Sequence, residues 1–136
     1  MMPCVLDTTI LSDILLNRDQ LVERRARQYV RSHGCVQFSA ITRYEVVRGH
    51  RLHGALGRLQ NFERFCEHNR VLPVTDAVLD LAADLWCQAR RLGVNPGDAD
   101  LLIGATAMEL GCPLITSNFK DFSWIADLEL ADWRVP

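Results

Sequence analysis

Apolar residues along this chain fall into two patterns: compact blocks of three or four, and longer stretches recurring every three or four residues. The first marks short buried strands and the second amphipathic helices. Residues 3–6 predict a strand that runs into the polar turn Asp7-Thr8-Thr9, and residues 10–16 continue with helical spacing. Residues 18–31 predict a charged helix with Leu21, Val22, Ala26 and Val30 inward, followed by a strand over residues 35–38 and Ser39 as a helix cap. Residues 40–49 and 56–69 predict two more helices, the second carrying Leu59, Phe62, Phe65 and Cys66 at helical spacing. A strand over residues 71–74 precedes a long helix opened by Thr75-Asp76. That helix ends at Leu92, with Val78, Leu81, Ala82, Leu85, Ala89 and Leu92 inward.

The nearly continuous apolar run over residues 101–110, with the small residues Gly104, Ala105 and Ala107 and a Gly111-Cys112-Pro113 stop, predicts a buried helix. Residues 113–116 predict the next strand. A turn and a short helical piece reach Phe122, Trp124 and Ile125 point inward, and residues 128–130 form an edge strand. Strands alternating with helices predict a three-layer α/β/α sandwich around a mostly parallel sheet, in one domain over residues 1–136. No repeat, linker or low-complexity segment interrupts it.

The acidic residues sit at particular places in this pattern. Asp7 follows the first strand, at the end where open α/β sheets place ligands. Asp98 and Asp100 open the buried helix, where one acid suffices for a cap and two are present. Asn118 and Asp121 follow the strand over residues 113–116. Glu45 shares a helical stripe with Ile41, Arg48 and Leu52. Capping accounts for Asp7 and a helical ion pair with Arg48 for Glu45, if each is taken alone.

Composition narrows the chemistry. The 136 residues carry a net charge of −2, but residues 1–70 hold eleven Arg against seven acids, and residues 71–136 hold ten acids against three Arg and Lys120. All cations but one are Arg, which suits bidentate phosphate contacts or reflects base composition. The five cysteines are widely spaced, without metal-ligand spacing, and are expected as buried reduced thiols. His50 and His53 share a helix face without a third ligand, so zinc is rejected. His53, Arg58, Arg64 and His68 are expected as solvated surface. No apolar run approaches the roughly 18 residues of a membrane span. The N-terminal residues lack the features of a signal peptide, and a cytoplasmic location is expected. There is no Gly-rich phosphate loop and no Ser-His-Asp arrangement.

Gathered at one end of a parallel sheet, such acids repel one another unless a cation neutralises them. Oxygen ligands without soft ones suit Mg²⁺ or Mn²⁺.

Four stretches carry a family resemblance: Leu6-Asp7-Thr8-Thr9-Ile10-Leu11, Thr42-Arg43-Tyr44-Glu45-Val46, Asp98-Ala99-Asp100-Leu101-Leu102-Ile103-Gly104-Ala105 and Thr116-Ser117-Asn118-Phe119-Lys120-Asp121-Phe122. In this order they resemble the PIN-domain ribonucleases, especially the VapC toxins of bacterial toxin–antitoxin pairs. The resemblance spans essentially the whole chain. It implies a metal-dependent endoribonuclease that leaves a 5′-phosphate, and a homodimer neutralised by a VapB-like antitoxin. Asp7, Glu45 and Asp100 match the family's first three acids. Asp7 and Asp100 are then expected to hold Mg²⁺ (or Mn²⁺), with Glu45 binding metal or orienting the attacking water. Asp98 is an additional acid without an assigned role. Asn118 and Asp121 both stand near the position of a fourth acid. Arg43 and Arg48 are expected to meet RNA phosphates. The alternatives are a PIN-type RNA-processing nuclease outside any toxin pair, and a non-catalytic module that binds RNA or protein.

Overall fold

The computed structural model describes residues 2–136. In chain order the elements are β1 (Val5–Leu6), α1 (Thr8–Leu16), α2 (Gln20–His33), β2 (Gln37–Ser39), α3 (Ala40–Leu52), α4 (Leu56–His68), β3 (Arg70–Leu72), α5 (Asp76–Leu92), α6 (Asp98–Glu109), β4 (Leu114–Ile115), α7 (Phe119–Phe122) and β5 (Leu130–Ala131). The strands form one sheet in the order β3-β2-β1-β4-β5, and every pairing is parallel.

Period-two alternation assigns the strand side chains to two layers. Val5 and Leu114, paired in register, face the layer built from α5 and α6, where Val78, Leu85, Leu101 and Ile103 are buried. Leu6 and Ile115, the next pair, face the opposite layer with Ile10, Val22, Tyr29, Phe38 and Phe62. The three-layer α/β/α sandwich expected from the sequence is thus the observed fold.

Helix starts follow the local chemistry. The Asp19 side chain accepts from the backbone N–H groups of Leu21 and Val22, Ser39 from Ile41, and Thr75 from Val78. Gly93, at φ 72°, ends α5 in the left-handed conformation and starts the loop to α6.

Several expectations need correction. Strand β2 ends at Ser39, which both closes the ladder and caps α3. Strand β3 stops at Leu72 because Pro73 has no N–H to extend the ladder. Strand β5 starts at Leu130, where Leu130 and Ala131 pair with Leu114 and Ile115. Val30 is 39% exposed, since Tyr29 continues the inward stripe of Val22 and Ala26. Leu92 is 62% exposed, one turn beyond the last inward residue, Ala89. Leu52 is 81% exposed, so the stripe carrying Glu45 runs out into solvent beyond Arg48. Among the cysteines only Cys4 is fully buried; Cys87 is exposed and the other three are half-buried, all as free thiols. Burial pushes the Cys4 thiol up to about 12, so it is unionised and unreactive at neutral pH.

One pairing joins residues 121 positions apart, beyond the reach of any local pattern. Asp13 on α1, 2% exposed, accepts two hydrogen bonds from the Arg134 guanidinium, at 2.6 Å from Nε and 3.1 Å from Nη2. Beside it, Trp133 is buried with its ring 5.9 Å from that of Tyr29, and Arg25 donates to the carbonyls of Asp132 and Pro136. The C-terminal segment is thereby strapped to α1 and α2.

Candidate active site

The sheet order places β1 between β2 and β4, so the chain leaves β1 for opposite sides of the sheet in its two halves. Open parallel sheets form a crevice at such a switch point, beyond the carboxyl ends of the strands. Asp7 follows β1 at this point and Thr116 follows β4, held level by a bond from the Asp7 N–H to the Ile115 carbonyl at 2.9 Å.

Asp7 is buried, at 4% exposure, and caps α1. Its Oδ1 accepts from the Thr8 N–H at 2.7 Å, and its Oδ2 accepts from the hydroxyls of Thr116 at 2.7 Å and Thr9 at 3.3 Å. Burial raises its pKa above the usual carboxylate value, the hydrogen bonds oppose that rise, and the charge of Glu45 adds to it.

Glu45, half-buried on α3, is held by two groups. The Thr8 hydroxyl donates to Oε1 at 2.7 Å, and Arg48 Nη2 stands 3.7 Å from Oε2. Thr42 Oγ1 lies 3.1 Å from Thr8 Oγ1. Thr8 has one hydroxyl proton and the carboxylate is the stronger acceptor, so Thr42 donates to Thr8 and the chain of bonds runs Thr42, Thr8, Glu45.

Asp100 lies in the first turn of α6, half-buried. Its pKa is raised from 3.8 to about 6, first by burial and then by the charges of Asp7, Asp121 and Glu45. Four carboxylates, delivered by β1, α3, α6 and α7, therefore share one electrostatic environment.

The remaining sequence candidates lie elsewhere or make other contacts. Asp98 is exposed and lines a groove of about 300 Å³ between α5 and α6 with Leu79 and Trp86, and it is not among the charges that act on Asp100. Asn118 is exposed, and its backbone N–H donates to Thr116 Oγ1 at 3.0 Å. Arg48 lies 5.0 Å from the centre of the Tyr44 ring, beside Glu45. Arg43 is exposed on α3, and its charge opposes the rise that burial causes in the pKa of Cys66 on α4. The hydroxyls of Thr8, Thr42 and Thr116 are the site residues that sequence reasoning did not single out. The register of β1 on β4 is the signal that places Thr116 beside Asp7.

The donors are carboxylate and hydroxyl oxygens, the chemistry preferred by Mg²⁺ and Mn²⁺. No three His, Cys, Asp or Glu side chains among the described residues are drawn together tightly enough to enclose a metal ion by themselves. Mg²⁺ keeps several waters and uses one or two carboxylates, so an open acidic site fits it. Burial is the larger cause of the rise at Asp100, and the remainder, repulsion by Asp7, Asp121 and Glu45, is the interaction that a bound cation relieves.

Comparison with known families matches residues 4–128 to the PIN domain. Ribonuclease VapC1 of Haemophilus influenzae (strain R2866) is 31% identical over 137 residues, covering 95% of this chain and 96% of that protein. Among solved structures, VapBC2 from Rickettsia felis bound to a promoter DNA fragment shares the fold, with a TM-score of 0.86 at 20% identity over 97% of this chain and 99% of that one. VapBC-1 from nontypeable Haemophilus influenzae gives a TM-score of 0.81 at 27% identity, covering 97% and 98%.

Proposed function

This chain belongs to the PIN domain family, and from that premise we propose that it is a metal-dependent endoribonuclease of VapC type with Asp7, Glu45 and Asp100 at its catalytic centre. The observation that carries the reading is the shared electrostatic environment of Asp7, Glu45, Asp100 and Asp121 at the carboxyl end of a parallel sheet. A 31%-identical relative named as a ribonuclease supports RNA as the substrate class.

Asp7 and Asp100 hold Mg²⁺ or Mn²⁺ in this reading. Asp121, whose charge acts on Asp100, supplies a further oxygen in this reading, with Asn118, whose backbone N–H bonds Thr116, as the alternative. A bound divalent cation lowers the pKa of water and neutralises charge that develops on phosphate oxygens. Asp7 keeps a fixed orientation because both of its oxygens are already hydrogen-bonded. Glu45, aimed by Thr8, either completes the metal site or accepts a proton from the attacking water. Arg48, beside Glu45, meets a phosphate approaching that carboxylate in this reading, and the exposed Arg43 on the same helix is the second cation assigned to RNA phosphates.

The VapBC relatives support a VapB-like antitoxin as the partner. A homodimer acting in the cytoplasm completes the proposal. No helix among the described residues is long and apolar enough to cross a membrane.

The test is to incubate the purified protein, freed of any partner, with a mixed RNA pool and Mg²⁺ or Mn²⁺, with EDTA and Asp7→Ala as controls. Cleavage that requires both the metal and Asp7 is expected. Cleavage that survives EDTA or Asp7→Ala would overturn the assignment.

A further inference from the structure

A cleft of about 310 Å³ opens from the acidic site between α1 and the α3–α4 hairpin. Thr8 and Glu45 line one end, and His53 and Arg58 line it further along. Through Leu15, Leu16 and Arg58 it adjoins a second cavity of about 280 Å³ walled by Phe62 and Phe65. Glu45 is the one carboxylate lining either cavity, so a single acid at the site end faces cationic and hydrogen-bond-donating groups at the other. His53 follows α3 eight residues after Glu45, which at 1.5 Å per residue is roughly 12 Å along the helix. A stacked nucleic-acid strand rises about 3.4 Å per nucleotide, so that distance corresponds to a few nucleotides.

We infer that this cleft is a subsite for the RNA strand: Arg58 and His53 hold a backbone phosphate a few nucleotides from the bond that is cut, and the apolar walls at Leu15 and Leu16 receive a base. The inference rests on the nuclease reading above, and it names where the substrate lies. Two features favour RNA over a protein segment. The cleft is continuous with the acidic site, so a strand cut there must leave it by some path. Arg58 and His53 are both exposed at its rim, and they complement a chain with a negative charge at every residue better than an apolar peptide.

The test uses the Asp100→Asn protein, which retains the cleft, and a short fluorescent single-stranded RNA of mixed sequence, with binding followed by anisotropy over a salt series. Adding Arg58→Ala is expected to weaken binding about tenfold, the loss of one charge-assisted phosphate contact. It should also reduce the slope of log affinity against log salt by about 0.7, one single-strand phosphate. His53→Ala gives a smaller loss, Arg58→Lys restores the slope, and Arg91→Ala on α5 changes neither quantity. Melting temperatures equal to the parent's show that each variant is folded. Unchanged affinity and slope in Arg58→Ala and His53→Ala, with a wild type that cleaves RNA, overturns the subsite alone and leaves the cleft to a protein partner. A wild type that neither cleaves nor binds RNA overturns the nuclease reading and the subsite together.

Discussion

The Thr116 hydroxyl donates to Asp7 Oδ2 at 2.7 Å, joining residues 109 positions apart across the switch point of the sheet. With the Thr8 N–H on Oδ1, this bond leaves the buried Asp7 carboxylate one orientation. Thr116→Val keeps the shape and removes the donor. Groups that orient metal-ligating side chains are worth about 10- to 100-fold in affinity or activity, and a fall of that size in cleavage rate is expected. A lost bond to a carboxylate also costs about 1.5–3 kcal/mol of stability. Thr116→Ser should recover most of both, as single-turnover cleavage and thermal melting will show.

The raised pKa of Asp100 makes a prediction with opposite signs for stability and activity. A carboxyl whose folded pKa, about 6, exceeds its ordinary 3.8 contributes stability that is fully present below 3.8 and lost as the pH rises through about 6. Ionised Asp100 therefore opposes folding of the metal-free protein at pH 7. Asp100→Asn should raise the metal-free melting temperature at pH 7 by about 2–5 °C, with the difference closing near pH 4, while abolishing cleavage. Melting curves across that pH range decide the matter. A variant less stable than wild type at pH 7 would show that Asp100 is held by contacts rather than opposed by burial and by the neighbouring acids.

Thr8 aims Glu45. Thr8→Val is expected to slow cleavage about tenfold, and Thr8→Ser to restore it, because serine keeps the donating hydroxyl. Equal rates in Val and Ser would assign Thr8 to packing at the start of α1.

The strap formed by Asp13 and Arg134 bears on stability and not on chemistry. Arg134→Ala leaves a buried carboxylate without its partner, and removing one partner of a buried pair costs about 3–5 kcal/mol. Arg134 itself is 38% exposed, so a loss nearer 2 kcal/mol is expected. Denaturant unfolding should record that loss, with the cleavage rate per folded molecule unchanged.

How much of this was legible in the sequence depends on the range of each interaction. The helices and their order follow from local spacing, and the pair Asp98 and Asp100 stands out before a buried apolar run, whereas Asp7 and Glu45, each explained locally by a cap and an ion pair, gain a site role only from the family resemblance. The separation of Asp98 from Asp100 was also present, since two positions turn a helix by about 200° and send their side chains to opposite faces. Strand ends were displaced because strands of two or three residues are set by pairing register and by Pro73, not by the length of apolar runs. Thr116 and the pair of Asp13 with Arg134 were hidden for a simpler reason. Their partners lie more than a hundred residues away, and only the fold brings them together.

The most direct measurement is the chemistry of the cut ends. RNA cleaved by the purified protein in Mg²⁺ or Mn²⁺ should carry 5′-phosphate and 3′-hydroxyl groups, the outcome that the proposed attack by a water at the acidic site requires. Products ending in a 2′,3′-cyclic phosphate, with a 5′-hydroxyl on the other side, would mean that the RNA's own 2′-hydroxyl attacks. That result would contradict the role given to Asp7, Glu45 and Asp100.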